Sequence, residues 1–126
     1  MTDPVAILKD EEREWPVPSA WRQTLREIVG AIKDRNYSLT GIARVEQLDH
    51  ASANAIAKSI HAYGETISAL PDESWDTSVC QWQLTYWELL VDLFTIEGGR
   101  SDLVLHVNVI EEKKDFLFKV HFVYVP

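Results

Sequence analysis

The sequence LTYWELLVDLFTIEGGRSDLVLHVNVIEEKKDFLFKVHFVYV, residues 84–125, decides the fold because apolar and polar side chains alternate along it. Between residues 87 and 93, one side of the chain carries Trp87, Leu89, Val91 and Leu93. This is the period of two that a β-strand requires. The alternation returns over residues 103–110 and 116–125, and one side of the last segment carries Phe116, Phe118, Val120, Phe122 and Tyr124. Glycines at 98–99 and the charged run 111–115 supply the turns. The stretch predicts a three-stranded antiparallel meander.

The register of the first hairpin follows from keeping the apolar sides together, because a slip of one residue would turn every side chain to the other face. A three-residue loop at 98–100 pairs Leu93 with Leu105 and places Asp92 opposite His106. The second face of the sheet is then predicted to carry Glu88, Asp92, His106, Asn108, Lys119 and His121. A half-solvated face is the simpler interpretation. A binding or catalytic face is the alternative.

Two helices are predicted upstream of the meander. Apolar residues at helical spacing follow Ser19, which predicts a helix over residues 20–34 with Ser19 as its N-cap. A second helix is predicted from its cap Asp49 to Tyr63, ending at Gly64. Residues 39–48 are a candidate short edge strand. The prediction is an α+β fold of two layers, with two helices packed on an antiparallel sheet of three to four strands.

The chain is predicted to hold one domain. Its 126 residues are enough for a single hydrophobic core. Residues 1–18 are acidic and contain prolines, so they are interpreted as an arm that precedes a domain of residues 19–126. The single cysteine cannot form an internal disulfide, and no apolar run approaches the ~18 residues of a membrane span. Residues 1–4 show no basic start of a secretory signal. We therefore expect a cytoplasmic protein that does not enter a membrane.

The charge is strongly acidic. A net charge of −8, from 20 acidic and 12 basic residues, speaks against binding to nucleic acid, which requires a basic patch. An acidic protein can instead attract a basic protein partner, although an excess of carboxylates also simply favours solubility. No residue pattern indicates a cofactor.

Tryptophans cluster in one part of the chain. Trp75, Trp82 and Trp87 fall within 13 residues, and such clusters occur both in small cores and at interaction hot spots. The hypothesis for a binding surface combines the acidic arm with Asp72, Glu73, Trp75, Asp76 and Trp82. Core packing of the tryptophans is the simpler alternative.

Two chemical sites can be built from the composition. Cys80 with His106 or His121 as a base, oriented by Asp92, would form a nucleophilic site. Asp92, His106 and His121 would form a two-histidine, one-carboxylate metal site if they lay side by side. His50 and His61 are too far apart along one helix, roughly 16 Å, to share an ion. Burial of Cys80 and a simple charged pair between Asp92 and His106 are the plainer interpretations.

Several segments carry a resemblance: SWDTSVCQW at residues 74–82, LVDL at 90–93, EGGRSDL at 97–103 and the closing VYVP at 123–126. Through them the chain resembles a family of small, uncharacterised bacterial domains of unknown function, from about Val17 to the end. The resemblance implies a single α+β domain and no established activity. In size and charge the chain is also similar to the immunity proteins of bacterial toxin systems.

The functional hypothesis from the sequence is a non-enzymatic protein-binding module, such as an immunity protein or an adaptor for a basic partner. The alternative is a small enzyme or metal-binding domain that uses Asp92, His106 and His121 with Cys80. The oligomeric state is left open between a monomer and a homodimer formed through the free edge of the last strand.

Overall fold

The computed structural model describes residues 4–126. Its elements, in chain order, are β1 (Trp15–Pro16), α1 (Arg22–Lys33), α2 (His50–Tyr63), β2 (Val79–Trp82), β3 (Trp87–Thr95), β4 (Gly99–Glu112) and β5 (Asp115–Tyr124). Short 3₁₀ turns lie at Ser19–Trp21 and Asp72–Asp76. All five strands form one antiparallel sheet in the order β1-β2-β3-β4-β5. The predicted α+β class is confirmed, and the sheet has one strand more than the upper prediction.

The first face of the sheet is the core. Trp87, Leu89, Val91 and Leu93 on β3 are at most 1% exposed, as are Leu103, Leu105, Val107 and Val109 on β4. Both helices contribute their buried residues to the same cluster. Trp21 lies in its centre, with its ring centroid 5.2 Å from those of Trp87 and Phe116 in edge contacts. The described chain therefore has two layers, and both helices cover the first face.

The two helices begin differently. Asp49 caps α2 as predicted, because its carboxylate accepts a hydrogen bond of 2.7 Å from the amide of Ser52, and Gly64 ends the helix at φ +83°. Ser19, in contrast, does not cap α1. It lies inside the 3₁₀ turn, and its hydroxyl accepts a hydrogen bond of 2.7 Å from the Val5 amide. The prediction of a Ser19 cap was wrong because the arm competes for the same hydroxyl. Neither helix is long and apolar enough to cross a bilayer, in the part of the chain described.

The loop of the first hairpin has the predicted length of three residues but lies two residues earlier in the chain. Thr95 pairs with Gly99, so the loop is residues 96–98, and Val91 rather than Leu93 faces Leu105. The register is displaced by two residues, which keeps every side chain on its predicted face. A bulge lies between Asp92 and Phe94, where β4 carries the extra residues and the Ser101 hydroxyl bonds to the Leu93 carbonyl at 2.7 Å. As a result Asp92 faces Val104, and the predicted pairing with His106 was wrong.

A second bulge changes the faces of β5. Val107 pairs with Val120 and His106 with Phe122, so His121 is an extra residue between them. Beyond this bulge the parity of the strand reverses, and Val123 enters the core while Phe122 is 58% exposed. The sequence placed Phe122 on the same side as Val120, and this was wrong because alternation alone does not reveal a bulge.

Residues of the predicted arm lie against the sheet. Trp15 and Pro16 form β1, which pairs with Cys80 and Val79 of β2. The indole of Trp87 donates a hydrogen bond of 2.9 Å to the Leu8 carbonyl. Residues 1–3 of the predicted arm, with the predicted absence of a signal, lie outside the described residues. The part from Pro4 onward is tied to the domain at several points.

The free edge of β5 is partly covered. Residues 39–48 form no strand, because Leu39, Gly41 and Arg44 take positive φ angles. Val45 makes an isolated bridge with Phe118, whose amide donates to the Arg44 carbonyl at 2.8 Å and whose carbonyl accepts from the Glu46 amide at 2.9 Å. The segment therefore shields part of the edge that could otherwise pair with another chain.

Two buried serines hold the 3₁₀ turn Asp72–Asp76 to β3. The Ser74 hydroxyl donates to the Asp92 carbonyl at 2.7 Å, and the Asp92 amide donates to the Ser78 hydroxyl at 2.9 Å. The two hydroxyls are 3.0 Å apart. Both backbone groups of Asp92 are thus satisfied at the position where the bulge interrupts the ladder. The turn and the bulge depend on each other.

We expect Ser78→Ala to lower the free energy of unfolding by about 1–3 kcal/mol, because the partly buried Asp92 amide would lose the Ser78 hydroxyl as its acceptor. Urea unfolding followed by circular dichroism measures the loss. The matched control is Ser68→Ala, whose hydroxyl bonds only to the neighbouring Ala69 carbonyl. Equal stability of the two variants would contradict the role of this pair of serines.

Candidate functional site

The residues predicted for a binding surface fall into two groups. Trp75 is 7% exposed, and the guanidinium groups of Arg22 and Arg26 lie 5.2 and 5.6 Å from its ring centroid. Asp72, Glu73 and Asp76 around it are exposed, and Asp72 pairs with Arg26 at 3.2 Å. Trp75 is therefore a core residue under two arginines, and only the carboxylates of this turn face solvent.

Trp82 lies at the other end of β2, beside the acidic arm. Its ring is half-buried against Trp87, with the centroids 4.5 Å apart. A shallow groove of about 420 Å³ opens next to it and is lined by Lys9, Asp10, Glu11, Glu12, Trp82 and Leu84. We call these six residues the acidic groove. It combines three carboxylates with an aromatic ring and an exposed leucine.

Local structure fixes the shape of the acidic groove. The two oxygens of Asp10 accept hydrogen bonds from the Glu12 amide at 3.0 Å and from the Trp15 indole at 3.3 Å. The Gln81 side chain on β2 reaches the Glu11 carbonyl at 3.4 Å. These bonds bend the arm against the sheet and leave the carboxylates of Glu11 and Glu12 exposed.

Leu84 stands out in the turn between β2 and β3. Its φ is +70°, a conformation that costs a branched side chain about 1 kcal/mol or more. The side chain is also 67% exposed, so the conformation does not serve to bury it. Arg35, Leu39, Arg44 and Lys113 also take positive φ angles, so the exposed apolar side chain rather than the backbone conformation distinguishes Leu84.

The acidic groove already holds one cation. The ammonium of Lys9 is 5.3 Å from the centroid of Trp82 and 5.9 Å from that of Trp87, and it pairs with Glu111 at 3.0 Å. An ammonium over an indole face, next to carboxylates, is a favourable arrangement. The groove thus has the chemistry to receive a lysine or arginine side chain.

The polar residues of the second face are only partly brought together. The rings of His106 and His121 lie 5.4 Å apart, and His106 Nε2 is 3.2 Å from the Asn108 amide oxygen and 3.6 Å from Glu88. Partial desolvation, then His106 and Lys119, lower the pKa of His121, while Glu46 and Glu88 act in the other direction.

Asp92 does not join the two histidines. Its carboxylate accepts from the Thr77 hydroxyl and lies 3.7 Å from Arg100. Because Asp92 faces Val104 instead of His106, the predicted metal triad is not assembled. Within residues 4–126, no three His, Cys, Asp or Glu side chains are grouped so as to hold a metal ion.

Cys80 lies on the opposite face from these histidines. It pairs with Leu89 on the core side of β2 and is 4% exposed. Desolvation by burial raises the pKa of its thiol to about 12. The hypothesis that Cys80 acts with His106 or His121 is therefore wrong, because the sheet separates them.

A larger groove, of about 680 Å³, lies where the C-terminal ends of α1 and α2 meet. Its rim carries Lys33, Arg35 and His61, and its floor carries Ile32, Ile60 and Ile67. Basic residues in the last turn of a helix are the ordinary complement of the helix dipole. We therefore interpret these basic side chains as structural. His50, at the start of α2, is not among the residues that line this groove.

Sequence reasoning named Trp82 and the acidic arm but missed Lys9 and Leu84. The position of Lys9 depends on contacts with Glu111, which is 102 residues away. The positive φ of Leu84 has no signature in the residue type, because glycine or asparagine is expected at such a position.

We expect Trp75→Ala to lower the free energy of unfolding by about 3–5 kcal/mol, since it opens a cavity in the core. The matched control is Trp82→Ala, which removes a half-buried ring and should cost about 1–2 kcal/mol. Urea unfolding measures both, and a larger loss for Trp82→Ala would contradict the assignment.

We expect Cys80 to resist alkylation in the folded protein at neutral pH, because its thiol is buried and its pKa is raised. Iodoacetamide labelling followed by mass spectrometry measures the rate, with the same protein in urea as the control. Labelling of the folded chain at the rate of the unfolded chain would contradict the burial.

Comparison with known proteins adds a family and no activity. The family model described as Domain of unknown function (DUF7668) matches residues 29–126, which hold α2, the strands β2 to β5 and every residue named on the second face. The arm that forms one wall of the acidic groove precedes the matched region. No curated protein and no solved structure matches the chain significantly. Because the match covers more than half of the sequence, the chain belongs to the family of Domain of unknown function (DUF7668).

Proposed function

We propose that the chain is a non-enzymatic protein-binding module that receives a basic partner at the acidic groove. The observation that carries the proposal is the Lys9 ammonium over Trp82, with the exposed carboxylates of Glu11 and Glu12 beside it. The groove already stabilises a lysine side chain of its own. A partner that presents lysine or arginine next to an apolar residue would place its cation over the Trp82 indole in place of Lys9 and its apolar group against Leu84.

Charge over the whole chain supports the same partner chemistry. The net charge of −8 favours fast encounter with a basic protein, and charge complementarity selects the partner and its orientation. Among the described residues, Lys9 and Glu111 form the ion pair next to the acidic groove. Few of the carboxylates near the groove are therefore paired with a cation. A partner would therefore exchange the Lys9–Glu111 pair for its own contacts rather than break a larger ion-pair network.

In this proposal the module acts in the cytoplasm of a bacterium, as an adaptor or as an immunity protein that covers the basic surface of a toxin. Small acidic α+β domains suit such a role because a toxin that acts on nucleic acid or anionic substrates presents a basic face. The assignment to this role rests on charge and size.

The test uses the full chain as immobilised bait in extracts of its source cells, with the captured proteins quantified by mass spectrometry. Wild type is compared with Glu11→Gln/Glu12→Gln, which raises the net charge from −8 by two units. We expect one basic protein to be captured in stoichiometric amount and its recovery to fall about tenfold with the double variant. Added salt should slow its association.

Two control variants carry the same change in net charge. Glu27→Gln/Asp102→Asn removes exposed carboxylates far from the acidic groove and should leave capture unchanged. Asp72→Asn/Glu73→Gln tests the other acidic cluster named from the sequence. Equal capture by wild type and Glu11→Gln/Glu12→Gln would remove the groove from the proposal. Loss with Asp72→Asn/Glu73→Gln would move the site to that turn.

A further inference from the structure

We propose that the second face of the sheet is the interface of a homodimer, with β3 of one copy packed over β5 of the other. This interface is independent of the acidic groove. The buried residues of both helices belong to the core on the first face, so no helix of residues 4–126 covers the second face. Phe122, near the end of β5, is 58% exposed on it, which is unusual for a phenylalanine within a strand.

The register arranges the second face in rows that run across the strands. Directly paired residues of antiparallel strands share a face and lie side by side. One row contains Glu88, Asn108 and Lys119. The next row contains Leu90, His106 and Phe122, and the third contains Asp92, Val104 and Tyr124. In each row the β3 side chain and the β5 side chain lie on opposite sides of β4 and differ in chemical character.

Two copies can face each other across a two-fold axis that lies parallel to β4, midway between their sheets. Each row of one copy then lies over the same row of the other copy. It places β3 of each copy over β5 of the other while preserving the position along the strands. Packed sheets lie about 10 Å apart with their strands nearly aligned. Glu88 then meets Lys119 of the second copy, and Leu90 meets Phe122 of the second copy. In the third row Asp92 meets the Tyr124 hydroxyl. All three rows are complementary, and each contact occurs twice because the interface is isologous.

The other two-fold axis in this plane is disfavoured. An axis perpendicular to the strands would place β3 over β3 and would set Glu88 near Asp92 of the second copy, so that carboxylates face each other. The complementarity of charge therefore selects the axis parallel to β4. The existing pairs are compatible with this arrangement, because Lys119 is 3.5 Å from Glu46 and Glu88 is 3.6 Å from His106, and all of these are partly exposed.

The bulge at His121 determines which side chains of β5 lie on the second face. Without the extra residue, Phe122 would continue on the core side and β5 would present Val123 at the second face. The bulge instead turns an aromatic ring outward next to the His106 ring, with the centroids 5.9 Å apart. The same bulge displaces His121 into solvent, at the margin of the row.

The decisive experiment is a charge swap measured by sedimentation velocity over a wide range of protein concentrations. We expect the wild-type chain to form a dimer. Glu88→Lys alone and Lys119→Glu alone each place like charges together twice, and each should weaken the dimer at least about tenfold. The double variant Glu88→Lys/Lys119→Glu restores opposite charges across the axis and should recover the dimer.

Matched controls are Glu27→Lys and Lys58→Glu, which make the same charge changes at exposed positions on the helices. They should leave the dimer unchanged. Phe122→Ser, at a site 58% exposed in the single chain, should give a folded monomer by circular dichroism.

Three results would overturn the proposal. One is a wild-type chain that is monomeric at every concentration. A second is a dimer that the single charge reversals and Phe122→Ser leave intact, since another surface such as the β5 edge would then hold it. The third is a double variant no tighter than either single variant. None of these outcomes bears on capture of a basic partner, so the two proposals fail separately.

Discussion

The structure depends on the burial of one sheet face around Trp21. That ring makes edge contacts with three aromatic rings of the sheet, those of Trp87, Phe116 and Phe118, at centroid distances of 5.2, 5.2 and 6.1 Å. The contacts bring the start of α1 against strands β3 and β5, which are not neighbours in the sheet. Because aromatic rings contribute large buried areas and prefer defined geometries, this cluster fixes both where the helix lies and how the sheet is oriented beneath it.

The two bulges determine features of the sheet that hydrophobic burial alone does not specify. The first face is specified by hydrophobic burial, whereas the bulge at His121 decides which side chains β5 presents on the second face. One bulge brings Asp92 to the serine pair that holds the 3₁₀ turn, and the other turns Phe122 outward. Bulges commonly redirect side chains at functional surfaces, and the bulge at His121 does so on the face proposed as an interface.

The sequence predicted what periodicity and capping can specify. The three long strands, both helices and the Asp49 cap follow from local patterns, since alternation, helical spacing and a cap with a terminal glycine each act within a few residues. β1 and β2 were missed because strands of two and four residues are too short to show a period. The register of the first hairpin was wrong because its loop lies two residues earlier than the glycines suggest. The place of Phe122 was wrong because a bulge depends on the partner strand. Of the candidate site, the acidic arm and Trp82 were foreseen, whereas Lys9 and Leu84 depend on contacts between distant parts of the chain.

The two proposed surfaces follow from one feature of this topology. A five-stranded sheet with both helices on the same side has one solvated face and two edges. The arm extends one edge through β1 and brings its carboxylates to Trp82, so that the acidic groove forms where the sheet ends. The second face carries its charged and aromatic side chains in rows that run across the paired strands. A dimer through the face would leave both grooves open at the outer edges, so each copy could bind a basic partner. In these two proposals, the fold would separate self-association from partner binding without further elements.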